Sequence, residues 1–255
     1  MPNNSRWSVV IPLSNEEKTV HELAKRLELV MNQLGDGVAY FVIDQSSKDE
    51  TLSATRLISE NDLRFQVLWK PEVSNVVEAY LAGFAHAIGE GHEIIIEMDG
   101  GLAHDPSSIP SFLAEFADDT DCVFGSRFCE GGELVNANKT RVFLSKGGTF
   151  LANFLLGTSM TDMTSGFQAF RRHVLAELLR HPLKSTGHFY QTEVRYLLRD
   201  FARKEVAIKY QGDGKNVGTR SLRNAFFTLC HYFFHKIQGS PLRVGRRRSG
   251  QSGTI

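Results

Sequence analysis

The first half of the chain alternates short β-rich runs with helix-length segments, and this alternation restricts the fold more than any other feature. WSVVIPL (Trp7 to Leu13), AYFVID (Ala39 to Asp44), FQVLW (Phe65 to Trp69) and EIIIEM (Glu93 to Met98) read as strands, with DCVF (Asp121 to Phe124) as a fifth. Glu16 to Leu34 carries Val20, Leu23, Ala24, Leu27, Val30 and Leu34 at three- and four-residue spacing, the period of an amphipathic helix. Leu52 to Glu60 and Val76 to Ile88 continue the pattern, as does Ser107 to Phe116, which opens on a serine cap. Strands alternating with helices imply right-handed crossovers and a mostly parallel sheet. Ligands of such sheets bind beyond the carboxyl ends of the strands. Those ends carry Asn15-Glu16, Asp44, Lys70, Asp99 and Ser126-Arg127, so acids and bases collect on one rim.

The second half is less regular. Helices are expected over Thr140 to Leu156, Val174 to Leu179 and Glu193 to Asp200, and strands over Phe167 to Phe170 and Lys204 to Tyr210. Gly212 to Gly218 is a polar, glycine-rich loop, and Ser221 to Gln238 a helix of high aromatic density. No linker or internal repeat interrupts the chain, which reads as one domain over residues 1–238 and a basic, disordered tail over 239–255.

Composition excludes several classes. With 42% hydrophobic and 23% charged residues the chain has the makings of a substantial core. A formal net charge of zero argues against a nucleic-acid protein working through global charge. Cys122, Cys129 and Cys230 have neither metal-ligand spacing nor the even number of a disulfide framework, which points to the cytoplasm. No secretory leader is visible, and no apolar run reaches the ~18–20 residues of a membrane span. A soluble or peripheral protein is expected.

Nucleotide-sugar chemistry makes clear physical demands on such a rim. A diphosphate leaving group gathers negative charge and needs a metal ion or basic side chains; the base needs polar groups at the first strand ends. The patterns VVIPLSNEE, VIDQSSKDET, EMDGG, VFGSRF, MTDMTSGFQAFRR and GHFYQTEV follow one another in a suggestive order. In that order and spacing, from about Trp7 to about Ile237, the chain resembles the family 2 glycosyltransferases of GT-A fold, in particular the polyprenyl-phosphate sugar transferases similar to dolichol-phosphate mannosyltransferase.

The resemblance implies a GT-A, Rossmann-like sheet flanked by helices, with the aromatic helix at the C-terminal end. It implies transfer of a hexose, with inversion, from a GDP- or UDP-linked sugar to a polyprenyl phosphate. Pro12, Asn15, Glu16, Asp44 and Asp49 would surround the nucleotide, and Asp99 would hold Mg²⁺ or Mn²⁺. Arg127 and Arg141 would face the phosphates as catalytic groups beside Asp99. Thr164, Ser165, Gln191, Glu193, Lys215 and Arg220 would form the acceptor and phosphate side.

The departures are as informative. The acidic pair after the second strand is Asp44-Gln45-Ser46-Ser47, and the glycine-rich turn after the third is Ser74-Asn75-Val76-Val77-Glu78. The second metal acid is replaced by Gly101, with Ala103 two positions on, so a thinned metal site is expected, in which Asp105 or Lys70 would compensate. Restoring an acid with Gly101→Asp would then tighten the cation. A non-catalytic descendant that binds a nucleotide or a partner protein, and a transferase acting on a soluble small molecule or glycan, are the alternatives. Ser221 to Gln238, with Arg220, Arg223 and Arg246-Arg247-Arg248, reads either as a packing or dimer helix or as an anchor at anionic lipid.

Overall fold

The computed structural model describes residues 6–35, 37–117, 119–187, 189–212, 219–239 and 242–245, without the side chains of 219–221. In chain order the elements begin β1 (Trp7–Leu13), α1 (Val20–Leu34), β2 (Gly37–Ile43), α2 (Thr51–Asn61), β3 (Phe65–Trp69), α3 (Val76–Gly89), β4 (Ile94–Glu97), α4 (Ile109–Ala114) and β5 (Cys122–Ser126). They continue with β6 (Glu133–Val135), α5 (Lys139–Leu156), β7 (Gln168–Arg171), α6 (Arg172–Leu178), α7 (Tyr190–Leu197), β8 (Arg203–Ala207), β9 (Lys209–Gln211) and α8 (Thr219–Ile237).

Seven strands form one sheet in the order β3-β2-β1-β4-β7-β5-β8, parallel except for β7, which runs antiparallel between β4 and β5. The centre is buried on both faces, which is why β1 and β4 read as unbroken apolar runs rather than alternating ones. Val9 and Ile11 meet Leu23 and Leu27 of α1 and Phe112 of α4 on one side. Val10 joins Tyr80 and Phe84 of α3, with residues of α6, α7 and α8, on the other. Pro12 is tolerated inside a central strand because β4 stops pairing with β1 at Val10.

Several boundaries move for local reasons. Residues 16–19 are a turn that leads into α1 rather than its first turn, because Thr19 and Val20 donate to the Glu16 carbonyl at 3.0 and 2.9 Å. The helix after β4 is opened by Asp105, whose carboxylate accepts from Ser107 N–H at 2.9 Å, and not by a serine cap. Ser74 to Glu78 caps α3: Asn75 accepts from Val77 and Glu78 N–H, both at 3.1 Å, while Glu78 accepts from the N–H of Ser74, just before the cap, at 2.8 Å. The expected late strand divides at Ile208. β8 finishes the main sheet, and β9 pairs with β6, which is too short to show a period in the sequence.

The tail boundary also moves. Val244 is 1% exposed in the core, Arg199 donates to the Leu242 carbonyl at 2.9 Å, and Arg243 lies 3.2 Å from Asp200. Residues 242–245 are therefore packed against the end of α7. Arg246-Arg247-Arg248 lie outside the described residues.

Gly83 lets α3 press on β1: a Cβ there would lie 2.3 Å from Val10 Cγ1. Gly83→Val is expected to destabilise the fold by about 1–3 kcal/mol, the usual cost of overpacking. The midpoint of urea unfolding measures it, and an unchanged midpoint would contradict this packing.

Candidate active site

The turn after β1 and the loop after β2 are stitched together. Asn15, with a left-handed φ of 59°, donates its N–H to Ser47 Oγ at 3.1 Å and accepts from Lys48 N–H at 2.9 Å. Asparagine is among the few residues that take this conformation readily. Glu16 N–H donates to Thr51 Oγ1 at 2.7 Å, and Glu17 N–H to Asp49 Oδ2 at 3.1 Å. Asp49 Oδ1 also accepts from the Thr51 hydroxyl at 2.6 Å, and Asp44 Oδ1 from Ser46 N–H at 2.6 Å. Asn15 and Asp49 thus shape the rim with their side chains. Pro12 sits beneath it, its carbonyl 3.1 Å from where a Cβ on Gly100 would be.

Asp99 follows β4 with its side chain 37% exposed. Tyr80 donates to Asp99 Oδ1 at 2.8 Å, and Asp99 N–H donates to His104 Nδ1 at 3.2 Å. His104 is fully buried between Phe167 and Tyr210. Burial lowers its pKa to about 4, so at neutral pH it stays an uncharged acceptor that fixes the Asp99 backbone. The Thr-Ser-Gly-Phe run arrives from the other side. A Cβ on Gly166 would stand 3.1 Å from both Asp99 carboxylate oxygens and from Gln191 Nε2, so only glycine leaves that approach open.

Basic side chains gather around two rings. Arg127 and Arg141 lie 5.4 and 5.2 Å from the centroid of Tyr210, and Arg127 and Lys146 lie 5.2 and 5.3 Å from that of Phe128. Arg141 also donates to the Tyr210 hydroxyl at 2.7 Å. Arg127 is 5% exposed and grips Asp162 with two bonds of 2.7 and 2.9 Å, while a third, of 2.5 Å, reaches Thr164 Oγ1. Burial opposes ionisation of Asp162, but the hydrogen bonds and charge of Arg127 outweigh it and hold the pKa at about 2. Arg127 is therefore spent largely on placing Thr164, whereas Arg141 and Lys146 are the more accessible cations.

The family model for glycosyl transferase family 2 matches residues 8–179, from β1 through α6. The chain belongs to glycosyl transferase family 2. It is similar to the polyprenol monophosphomannose synthase of Mycolicibacterium smegmatis, at 29% identity over 234 residues, 89% of this chain and 86% of that one. It is also similar to the undecaprenyl-phosphate mannosyltransferase of Micrococcus luteus, at 29% over 194 residues, 75% and 76% of the two chains. In fold it resembles glucosyl-3-phosphoglycerate synthase from Mycobacterium tuberculosis, solved with Mn²⁺, UDP and phosphoglyceric acid. That likeness has a TM-score of 0.66 at 17% identity and covers 97% of this chain and 81% of the other. The chain is a nucleotide-sugar-dependent glycosyltransferase of GT-A type.

Some expected site residues have other partners in this transferase. Glu193 is fully buried and accepts from Lys184 and Ser185 N–H at 2.6 and 2.8 Å and from the Tyr232 hydroxyl at 2.5 Å. A carboxylate filled in this way clamps α8 to α7 and has no room for a substrate phosphate. Ser165 is buried, its carbonyl taken by Arg195 at 2.9 Å. Asp105 caps its helix, and Lys70 lies 3.8 Å from Glu72, so neither replaces the missing acid. Lys215 and the side chain of Arg220 lie outside the described residues.

Sequence reasoning missed Tyr80, His104, Lys146, Asp162 and Tyr210. The periods of the elements that hold Tyr80, Lys146 and Tyr210 mark these only as core or surface, and His104 and Asp162 lie in loops without a period. Glu97 was missed too, although an acid inside IIIE is a signal. It is fully buried and accepts from Tyr190 Oη at 2.6 Å and Gln168 Nε2 at 2.9 Å. Burial pushes its pKa from 4.5 up to about 8 against those two hydrogen bonds.

Between these values folded Glu97 keeps a proton that the unfolded chain has lost, so its contribution to stability is lost as pH rises through about 8. Glu97→Gln preserves an acceptor for both donors and removes this loss. Thermal unfolding across pH is expected to show wild-type stability declining relative to the variant between pH 4.5 and about pH 8 and levelling off above. Parallel profiles would contradict a buried, protonated Glu97.

Proposed function

We propose that the transferase moves a hexose from a GDP- or UDP-linked sugar to a polyprenyl phosphate, with inversion at the anomeric carbon, at a membrane face. The observation that carries this reading is α5. Its first turns hold Arg141 and Lys146, and it presents Phe143 between them and Phe150 and Phe154 further along, at 75%, 72% and 73% exposure. Phosphate-binding charge and bare apolar surface on one helix suit an acceptor with an ionised head and a hydrocarbon chain. α8 packs beside α5 and adds Phe226, Phe227, Phe234 and Ile237, each 55–63% exposed. Lys236 ties the pair by donating to the Leu155 carbonyl at 3.0 Å. Exposed apolar residues at this density mark an interaction surface. Among the described residues no helix is long and apolar enough to cross a membrane, so the contact would be interfacial. The names of the two mannosyl-transferring relatives point to the same acceptor class.

A phosphate acceptor is ionised at neutral pH and attacks without a strong general base. Arg141 and Lys146 would draw its negative charge towards the donor, and Arg127 would hold Thr164 in place beside them. The Asp44 and Asn15 loops would seat the nucleotide. Among the described residues no three acidic, histidine or cysteine side chains converge as a self-sufficient metal site. Mg²⁺ and Mn²⁺ at a diphosphate need only one or two protein carboxylates, and Asp99 at its strand end fits that demand. A bound cation would neutralise the departing diphosphate.

Co-sedimentation with anionic vesicles containing a polyprenyl phosphate tests the acceptor face. Wild type is expected in the pellet, and a Phe150→Glu/Phe226→Glu variant in the supernatant. That variant should still glycosylate a short, water-soluble prenyl phosphate. Wild type that stays in solution and glycosylates a soluble phosphate-free acceptor instead would overturn the reading.

A further inference from the structure

The sequence leaves Asp99 without the second acid two residues on, and the structure places another carboxylate there. Gly101 has a φ of +72°, and Leu102 follows at +63°, so the loop after β4 takes two left-handed steps in succession. A Cβ on Gly101 would lie 2.9 Å from Glu16 Oε1 and 3.3 Å from Glu16 Cδ. The Glu16 carboxylate thus fills the room in which a side chain at 101 would begin. It is fixed from behind: its backbone N–H is held by Thr51, and Thr19 donates to Oε2 at 2.5 Å. No cationic side chain pairs with it among the described residues, which leaves a half-buried negative charge uncompensated.

A second observation comes from the opposite wall. Gln191 is 5% exposed, its Oε1 is buried without a hydrogen-bond partner among the described residues, and its Nε2 stands 3.1 Å from the same point above Gly166 as the Asp99 oxygens. The Gln191 amide thus borders Asp99 through Nε2 while its Oε1 lacks a donor, and a buried acceptor left without a donor or a cation is costly.

We propose that Glu16 supplies the second carboxylate of the cation–diphosphate site, so that the acid absent from position 101 is delivered from the turn after β1. This rests on the nucleotide-sugar reading and deepens it: the site is relocated rather than thinned. It also reverses the expectation for Gly101→Asp. A non-glycine residue there is strained by the left-handed φ and collides with Glu16, so this change alone brings no tighter cation.

Mn²⁺ titration followed by the loss of its free-ion EPR signal tests the proposal on the whole protein, with GDP and then UDP present. Glu16→Gln keeps the Thr19 contact and is isosteric, and its thermal midpoint reports whether it folds. The expected result is at least a tenfold weaker Mn²⁺ affinity in Glu16→Gln, comparable to that of Asp99→Asn. Glu16→Ala/Gly101→Asp, which removes the obstruction and returns an acid to the loop, is expected to bind Mn²⁺ more tightly than Glu16→Ala. Wild-type affinity in Glu16→Gln, with affinity lost in Asp99→Asn, would overturn the role of Glu16 and leave the transferase reading standing. Nucleotide binding without any Mn²⁺ uptake by wild type would overturn both the relocated acid and the cation.

Discussion

Glu97 on β4 pairs with Gln168 on β7, an antiparallel strand inserted into an otherwise parallel sheet, and the active site depends on that register. Two residues beyond Glu97 the chain reaches Asp99, and two before Gln168 it passes Gly166, so the pairing brings the Asp99 carboxylate under the Thr-Ser-Gly-Phe loop. The same interface is sealed by a polar core. Gln168 and Tyr190 donate to Glu97, and Arg195 donates to the Asp162 and Ser165 carbonyls and to Gln168. Burial lowers the Arg195 pKa to about 10 while neighbouring acids oppose the shift. Both donors reach Glu97 Oε2, while Oε1 has no hydrogen-bond partner among the described residues, and the paired groups of this network hold the loop that carries Thr164 and Gly166.

Around this seam the rim divides into two halves. On the β1–β2 side, loops stitched by Asn15, Asp44, Asp49 and Thr51 form a polar cradle containing Glu16. On the β5–α5 side, Arg127, Arg141 and Lys146 surround Phe128 and Tyr210. Asp99 lies between an acidic half and a basic half, an arrangement suited to joining a nucleotide-bound cation with a second anion. The exposed phenylalanines of α5, Phe143, Phe150 and Phe154, share a helix with Arg141 and Lys146, which suits an acceptor that carries both charge and hydrocarbon.

The fold was legible in the sequence where elements are long and strongly patterned. β1, β2, α1 and α3 follow from apolar runs and helical spacing because both faces of the central sheet are buried. The antiparallel direction of β7 was not legible, since QAFR reads the same in either direction. Nor was β6, whose three residues gain order only from β9. In the site, the motif order placed Asn15, Asp44, Asp99, Arg127 and Thr164 on one rim. It did not reveal that Arg127 is held by Asp162, or that Glu193 is saturated by backbone N–H groups and Tyr232. The Asp162 and Tyr232 contacts span 35 and 39 positions, and the Glu193 bonds to Lys184 and Ser185 depend on α7 beginning at Tyr190 so that Glu193 turns inward. Gly101 shows the limit most clearly. In sequence it is a lost acid, and in three dimensions it is the space that Glu16 enters.

The central claim is that this rim joins a nucleotide sugar to a lipid phosphate. The most direct measurement is transfer of radiolabelled hexose from GDP-mannose, UDP-glucose and related donors into organic-extractable material in the presence of polyprenyl phosphate vesicles and Mn²⁺. The account predicts a lipid-linked monophosphate sugar of inverted anomeric configuration with one donor class. Label appearing solely in a water-soluble product, or no transfer from any donor by folded protein that sediments with the vesicles, would contradict it.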